Sequence, residues 1–499
     1  MRILAGACGL LAIVLSLSAV PAARAQSVLE YHAGPERSGR YTMPHLTFQS
    51  AATLALEPAF DGRIAGNVYA QPLFFHFRQS PRKILIAATE DDTVYALDAR
   101  TGKTAWTKSL GRPVPRADLP CGNISPLGIT GTPAIDWVTA SLYLDAMVQG
   151  ESGPQHLVFG LSLDTGAVLP GFPVDVAKAL AGIGMRFEPR LQNQRGALGI
   201  VDGKLFVPYG GHYGDCGDYR GFVVGIDLEH PSAVSAWSAR APGGGVWAPG
   251  GLAYDGRSLL VATGNSNGAT DWADGDAVIR LGLDLKPAVS PQDYFAAADW
   301  RALDERDLDL GGSNPLPLNL WAPEGDARLV LALGKDGKAY LLNRANLGGI
   351  GGALAVQPVA RGPIRTSPAA FVTGEGAFVA FEGQGSACPK GASGAGLTML
   401  RIEATPAPKI STAWCAAVNG RGAPIVTLDD DNTNPIVWMV GAEGDNRLHG
   451  FRGDTGATVF AGGGPNEAMQ GLRHFATILA TDGRLFIAAD GRIYAFAPK

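Results

Sequence analysis

The chain has 499 residues, 17% of them charged, and its formal net charge of -5 leaves no basic excess for binding nucleic acid or an anionic membrane. Its 67 glycines, 34 prolines and hydrophobic share of 46% predict a large apolar core crossed by many turns.

Residues 1–25 have the pattern of a cleavable signal peptide. Arg2 precedes an apolar run from Leu10 to Val20, and the letters PAARAQ then give a small-x-small cleavage site before Gln26. No later segment is long and apolar enough to span a bilayer. We therefore expect residues 26–499 to form the mature chain, periplasmic or secreted, with no transmembrane anchor.

The first strong strand pattern is TVYALDARTGKTAWTKSLG, residues 93–111. Apolar and polar residues alternate up to Asp98, a Thr101-Gly102 turn reverses the chain, and a second strand carries Trp106. Glycine adopts the positive backbone angle of such a turn, and the aspartate can cap its amides. The indole offers a large apolar surface to a neighbouring sheet.

Related stretches recur along the chain, from VFGLSLDTGAVL at Val158 to RIYAFAPK at Arg492, and give about eight copies. Two further strand patterns precede each copy, so that one unit has four strands in roughly 59 residues. Four-stranded units repeated in a ring form a β-propeller. We predict an all-β fold, an eight-bladed propeller of four-stranded antiparallel blades, with a solenoid as the alternative.

The two ends of the chain predict how the ring closes. The C-terminal RIYAFAPK supplies the third strand of a blade without a fourth, whereas TLALEPAFDG near the mature N-terminus has the pattern of a fourth strand without partners. We predict that Thr53 to Phe60 completes the last blade.

Four cysteines remain after the predicted cleavage, an even number that favours disulfides in an oxidising compartment. Three pairings are possible. We favour Cys121 with Cys216 and Cys388 with Cys415, because each bond would then connect neighbouring loops.

The repeated ALDxxTGKxxW pattern, together with WAPGGLAYDGRSLLVATGN, DWADGDAVIRLGLDL and LGKDGKAYLLNRANLGG, resembles the quinoprotein-like propellers, named for pyrroloquinoline quinone (PQQ). The resemblance covers nearly all of residues 26–499 and implies one propeller domain there. In that family the repeat packs blades both in PQQ-dependent dehydrogenases and in non-catalytic propellers. The chain lacks the adjacent cysteine pair of the large PQQ alcohol dehydrogenases.

The innermost strands of a propeller converge on the mouth of its channel, which is the expected ligand site. Arg195, Arg365 and Arg473 on these strands would form a cationic funnel suited to a polycarboxylate such as PQQ, or to an acidic sugar. Trp247 could stack on a planar cofactor, and Gln71 completes the cofactor-binding candidates. Alternatively, each arginine could pair with a neighbouring blade and Trp247 could fill a gap between blades.

The resemblance further implies a divalent cation, usually calcium, and a carboxylate base that takes the proton of the substrate hydroxyl. The segment DLDLGGSNP offers Asp307 and Asp309 as candidate catalytic bases, and Asp309 and Asn314 as candidate calcium ligands. The same letters are also typical of a turn capped by aspartate.

Three functions remain open. The first is an exported PQQ-dependent dehydrogenase that oxidises an alcohol or sugar. The second is a periplasmic propeller without catalytic activity that binds an envelope protein or polymer. The third is a polysaccharide lyase that uses His474 and the arginines.

Overall fold

The computed structural model describes residues 26–78, 80–287, 290–323, 325–389 and 396–499. The predicted signal peptide, residues 1–25, lies outside the described residues. Within the described residues, no helix is both long and apolar enough to cross a bilayer.

The N-terminal segment contains four short elements before the first blade. They are a 3₁₀ helix at Tyr31–Ala33, strand β1 at Arg40–Thr42, helix α1 at Phe48–Ala51 and strand β2 at Leu54–Leu56. Thr47 caps α1, because its side chain accepts a hydrogen bond from the backbone of Ser50 while the Ser50 hydroxyl binds the backbone of Thr47.

Eight sheets follow in chain order, each built mainly from four antiparallel strands. The strands of the first four blades are β3 Leu73–His76, β4 Lys83–Thr89, β5 Thr93–Asp98 and β6 Thr104–Ser109 in blade 1; β7 Ala134–Asp136, β8 Ser141–Gly150, β9 Gly153–Ser162 and β10 Val174–Asp175 in blade 2; β11 Gln192–Asn193, β12 Gly199–Val201, β13 Lys204–Gly211, β14 Phe222–Asp227 and β15 Val234–Ser238 in blade 3; and β16 Ala253–Tyr254, β17 Leu259–Ala262, β18 Ala277–Leu281 and β19 Tyr294–Ala296 in blade 4.

The second half of the ring repeats the arrangement, with one extra strand, β23, that pairs with β19 of blade 4. Its strands are β20 Leu316–Leu320, β21 Ala327–Leu333, β22 Lys338–Asn343, β23 Gly349–Ile350 and β24 Ala355–Pro358 from blade 5; β25 Ala369–Thr373, β26 Gly376–Glu382, β27 Gly396–Glu403 and β28 Lys409–Ala417 in blade 6; β29 Ile425–Leu428, β30 Ile436–Val440, β31 Leu448–Arg452 and β32 Thr458–Ala461 in blade 7; and β33 Ile478–Thr481, β34 Arg484–Ala489 and β35 Arg492–Pro498 in blade 8. The connections contain helices α2 Val176–Gly182 and α3 Trp300–Asp304, and 3₁₀ turns at Arg116–Asp118, Pro189–Leu191 and Pro465–Glu467. The predicted eight-bladed propeller is confirmed.

Two N-terminal strands close the ring. β2 pairs antiparallel with β35, Leu54 opposite Pro498 and Leu56 opposite Phe496, which confirms that the segment at Thr53 to Phe60 completes the last blade. β1 also joins blade 7, parallel to β29. The sequence analysis did not anticipate this second strand, which is only three residues long.

The residues that recur in each repeat cap its turn and attach one blade to the next. The Asp98 carboxylate accepts a hydrogen bond from the Thr101 amide at 2.8 Å and so caps the turn. The indole of Trp106 in blade 1 donates to the carbonyl of Leu163 in blade 2 at 2.9 Å and packs on Gly166, where a Cβ atom would lie 2.8 Å from the ring. Trp414 makes the equivalent contact from blade 6 with Gly453 of blade 7.

Residues 26–42 form an N-terminal plug in the channel. Backbone atoms of the plug accept or donate hydrogen bonds with the innermost strands of blades 8, 1, 2, 4, 6 and 7, and a side chain of the plug binds blade 3. At its centre the buried guanidinium of Arg37 pairs with Glu30 at 2.9 Å and donates to the carbonyls of Leu198 and Leu252. The plug therefore fills the channel with polar groups, of which the hydroxyls of Tyr31 and Tyr41 and Nδ1 of His32 have no partner among the described residues.

The two disulfides have the favoured pairing. Cys121–Cys216 joins the connection after blade 1 to a loop of blade 3, and Cys388–Cys415 lies within blade 6.

Candidate functional site at the channel mouth

The candidate residues lie on the face of the propeller that carries the connections between blades. Because blade strands are antiparallel, these connections and the turns between second and third strands share that face. The plug bonds to the inner strands along the channel, and its His32 reaches Gln71 and Thr477, which precede β3 and β33 on the same side. The candidates Arg195, Trp247, Asp309 and Arg473 all lie in connections between blades.

A buried ion pair occupies the connection into blade 5. Asp309 is 1% exposed, and its Oδ2 accepts a hydrogen bond from Nζ of Lys335 at 2.5 Å while its Oδ1 accepts one from the Gly311 amide at 2.7 Å. Desolvation lowers the pKa of Lys335, but Asp309 and Asp307 together outweigh it, so that the pKa is raised. Lys335 therefore stays charged and fixes the Asp309 carboxylate in one orientation.

Asp307 contacts the Lys335 ammonium from the solvent side. Its side chain is 67% exposed, and its backbone adopts a left-handed φ of 55°. The two predicted bases therefore differ sharply in environment although only one residue separates them.

Trp247 lies beside the Lys335 ammonium. Its ring centroid is 5.3 Å from Nζ of Lys335 and 5.9 Å from Cζ of Arg195, within or close to the range of cation–π attraction. A Cβ atom at Gly264 or Gly311 would lie 2.8 Å or 2.6 Å from the indole nitrogen, so the indole fits only because both positions are glycine. The structure thus brings a planar aromatic ring, two cations and a buried carboxylate into one place.

Arg195 lies between aromatic rings and a buried acid. Its Cζ is 4.5 Å from the ring centroid of Phe475, and burial lowers its pKa to about 10, which still leaves it charged at neutral pH. Glu90 is fully buried, with Oε2 bound to the Gly128 amide at 2.8 Å and Oε1 without a partner among the described residues. Burial raises the pKa of Glu90 to about 7.

Arg473 is already paired. Its guanidinium binds Asp490 at 2.5 Å and the side chain of Asn67 at 3.0 Å, and it lies over the ring of Tyr69. This is the alternative that the sequence analysis left open for the arginines. Arg365 is exposed, and its backbone packs against Gly312 in the connection that carries Asp309.

The side chains of Gln71 and Asn314 form their hydrogen bonds with residues other than Asp309 and Lys335. The Gln71 side chain accepts a hydrogen bond from His32 of the plug at 3.0 Å. Asn314 is fully buried beside Gly250, donates to the Pro315 carbonyl at 3.3 Å and leaves Oδ1 without a partner among the described residues. Neither is brought into direct contact with the Asp309–Lys335 pair.

The oxygen atoms of the described residues around Asp309 do not form a site for a divalent cation. Both oxygens of Asp309 are bonded, and the described part of the chain has no group of three or more His, Cys, Asp or Glu residues placed to hold a metal. Arg195 and the ring of Trp247 fit an anionic planar ligand, whereas Lys335 already pairs with Asp309 and Asp307, and this arrangement does not fit a calcium ion at Asp309.

Sequence reasoning missed Lys335 and Glu90. Both lie in turns between the second and third strands of a blade, within LGKDG and TEDDT, where charged residues are usually solvated. His474, the residue named for a lyase, binds Glu443 at 2.7 Å, and its ring contacts Tyr69 edge-on.

No family model matches the chain, and a search of curated proteins finds no relative. Solved structures do resemble it. The quinohemoprotein alcohol dehydrogenase ADHIIG from Pseudomonas putida HK5 is 14% identical over 95% of this chain and 80% of its own, with a TM-score of 0.67. The quinohemoprotein alcohol dehydrogenase from Comamonas testosteroni is 15% identical over 94% and 80%, with a TM-score of 0.58.

A europium-containing methanol dehydrogenase is 13% identical over 94% of this chain and 98% of its own, with a TM-score of 0.62. At these identities the shared feature is the fold, the eight-bladed propeller of quinoprotein alcohol and methanol dehydrogenases.

Proposed function

We propose that the protein is an exported PQQ-dependent dehydrogenase that oxidises an alcohol or a sugar at the channel mouth. The observation that carries the proposal is the buried Asp309–Lys335 pair beside the face of Trp247. A carboxylate base whose pKa is raised by burial, oriented by an ammonium and next to an aromatic ring, has the parts that removal of a hydroxyl proton beside a planar cofactor requires.

PQQ is a planar polycarboxylate, and the mouth complements both properties. Trp247 offers a flat apolar face, while the half-buried Arg195 offers positive charge beside it, and Lys335 is buried and oriented by Asp309. When bound, PQQ would supply the acceptor for the hydride from the substrate carbon. We derive no step through a metal, since the donors at Asp309 do not fit one.

The residues of the chain would divide the remaining work. Asp309 takes the proton of the substrate hydroxyl, and Lys335 orients the carboxylate and opposes the rise in its pKa that burial causes. Asp307 contacts the same ammonium and is exposed, so it connects the buried pair to solvent. Arg195, fixed between Trp247 and Phe475, would balance the negative charge of the cofactor.

The test is a titration of the mature protein with PQQ, with and without calcium, followed by absorbance and by dye reduction with a panel of alcohols and sugars. Asp309→Asn should keep PQQ binding and lose dye reduction by about 100-fold or more, the usual contribution of a general base. Asp307→Asn, one residue away and exposed, is the matched control and should lose far less.

Trp247→Ala should weaken PQQ binding, since the stacking face is removed. The absence of saturable PQQ binding at micromolar concentration would overturn the proposal, as would equal losses of dye reduction in the two aspartate variants.

The second candidate function is a propeller without catalytic activity that binds an envelope protein or polymer. It is favoured by Arg473, whose pairing with Asp490 and Asn67 uses one of the three arginines of the predicted funnel for structure. Failure of PQQ binding in the titration would direct the search to such partners.

A further inference from the structure

A second cationic region lies between blades 4 and 5. It is a cleft of about 680 Å³, within the size range of small-molecule sites. Its residues come from the turn after β16, the connection after β18, the start of β21 and the end of β22. These positions lie at the strand ends opposite those of the mouth, so the cleft opens on the other face of the propeller.

Cations outnumber acids in this blade 4–5 cleft. Three carboxylates line it, from Asp255, Asp284 and Asp293, and they face five cationic side chains: Arg257, Arg280, Lys286, Arg328 and Arg344. Five positive and three negative charges leave an excess of two, in a chain whose formal net charge is -5. A local excess of this sign in an acidic protein favours an anionic ligand.

The inner wall of the cleft is rigid. Arg344 is buried, and its guanidinium donates to the carbonyls of Leu318 at 2.7 Å and Leu329 at 3.3 Å. Arg280 donates to the Arg344 carbonyl and lies 3.4 Å from Asp293. Burial lowers the pKa of Arg344, the attraction of Asp255 opposes this, and the positive charges of Arg328 and Arg280 lower the pKa further. Three guanidinium groups thus lie close enough to repel one another, which an anion would relieve.

The outer wall carries the cations that a ligand can reach. Arg257 and Arg328 are exposed, and they project from the turns between the first and second strands of adjacent blades. A guanidinium binds phosphate or carboxylate with two parallel hydrogen bonds. These two side chains are therefore placed to hold an acidic group from both sides of the cleft.

The cleft also offers groups for hydroxyls. The hydroxyl of Ser258, the amide of Gln292 and the carboxylates of Asp255 and Asp293 line it beside the arginines. Carboxylates accept hydrogen bonds and do not bind anions, so the lining combines one set of groups for an acid with another set for donors such as sugar hydroxyls.

We propose that the blade 4–5 cleft binds an anionic sugar, a carbohydrate that carries a phosphate or a carboxylate, held by Arg257 and Arg328 through its acid and by Asp255, Asp293 and Ser258 through its hydroxyls. The site is separate from the channel mouth and does not depend on the function proposed there.

The experiment is isothermal titration of the mature protein with glucose 6-phosphate, glucuronate, glucose and inorganic phosphate. At least one acidic sugar should bind saturably and about tenfold or more tightly than glucose or phosphate, because charge-assisted and neutral hydrogen bonds then act together. The tighter of the two identifies the acid as phosphate or carboxylate.

Arg257→Gln and Arg328→Gln should each lower that affinity by about tenfold or more. Arg361→Gln, an exposed arginine in the connection to blade 6, is the matched control and should not change the affinity.

Circular dichroism would verify that the variants fold, as expected for exposed side chains. The proposal is overturned if neither acidic sugar binds, if glucose or inorganic phosphate binds equally well, or if the two cleft variants retain wild-type affinity.

Discussion

The channel mouth and the blade 4–5 cleft both contain several cationic side chains, but they differ in whether those side chains are paired with carboxylates. At the mouth, Lys335 is buried against Asp309 and Arg473 is paired with Asp490. In the cleft, Arg257 and Arg328 are exposed, and the other charged groups of the lining are three cations and three carboxylates. A buried ion must be paired for the chain to fold, whereas water screens an exposed one.

The difference teaches what each region can do. The mouth holds its charged groups in place before any ligand arrives, which suits chemistry at a defined position. The cleft leaves its outer cations free to adjust, which suits recognition of a soluble anion. Substitutions at the mouth should therefore change stability and pH dependence, and substitutions in the cleft should change binding.

The largest expected effect is the loss of stability when the Lys335 ammonium is removed from the channel mouth. Lys335→Met leaves Asp309 buried without its partner, and we expect a loss of about 3–5 kcal/mol in the free energy of unfolding. Lys286→Met removes one partner of an exposed pair, since the side chains of Lys286 and Asp284 are 81% and 54% exposed, and it should cost far less. Urea unfolding followed by fluorescence measures both. Equal costs would show that the buried pair is no different from a surface one.

The next effect is a pH dependence at Glu90. Burial raises its pKa from 4.5 to about 7, so the folded state keeps a proton that the unfolded state has lost. Stability should therefore fall as the pH rises from 4.5 to about 7, by up to roughly 3 kcal/mol. Glu90→Gln should remove this part of the decline, as measured by melting temperature across that range. Parallel curves for the two proteins would contradict the raised pKa.

Salt should separate the two regions further. Affinity of the cleft for an acidic sugar should fall several-fold between about 50 and about 500 mM NaCl, because exposed charges are screened over a Debye length. The melting temperature should change little over the same range, since the buried Asp309–Lys335 pair is screened much less. Titration and thermal unfolding in the same buffers test this, and an affinity independent of salt would argue against binding through exposed arginines.

The smallest effect is expected for Arg328→Gln on stability. Its side chain is exposed, so the free energy of unfolding should stay within about 0.5 kcal/mol of the wild type. Denaturant unfolding of this variant and of Arg361→Gln should give superimposable curves. A larger loss would mean that Arg328 holds blades 4 and 5 together.

The fold could be predicted because its signal is local and repeated. Asp98, Gly102 and Trp106 lie within nine residues, and the structure shows that they cap a turn and attach a blade to the next. Their repetition gave the number of blades, and the unmatched strand patterns at both ends gave the closure. The pattern carries no chemistry, since its partners are backbone carbonyls and glycines.

The site could be predicted only in part. Arg195, Trp247 and Asp309 were named from the sequence and meet at the mouth, but Lys335 and Glu90 were not. A turn such as LGKDG has the composition of a solvated turn. It is buried only because the ring brings turns from different blades together, and this arrangement cannot be read from one repeat. Gln71 was assigned to the cofactor as a polar residue of a predicted inner strand, and the N-terminal plug that binds it has no repeat pattern from which this contact could be predicted.

The N-terminal plug sets the order in which the molecule can fold. The plug precedes every blade in the chain, yet it bonds to the inner strands of nearly every blade. Strand β2 likewise pairs with β35, the last strand of the last blade. Contacts so distant in the chain make folding slow. Until the final residues are available, the first and last blades expose unpaired strand edges that can pair with other chains. We expect truncation of Arg492–Pro498 to yield aggregates, because the ring then has no strand on which to close.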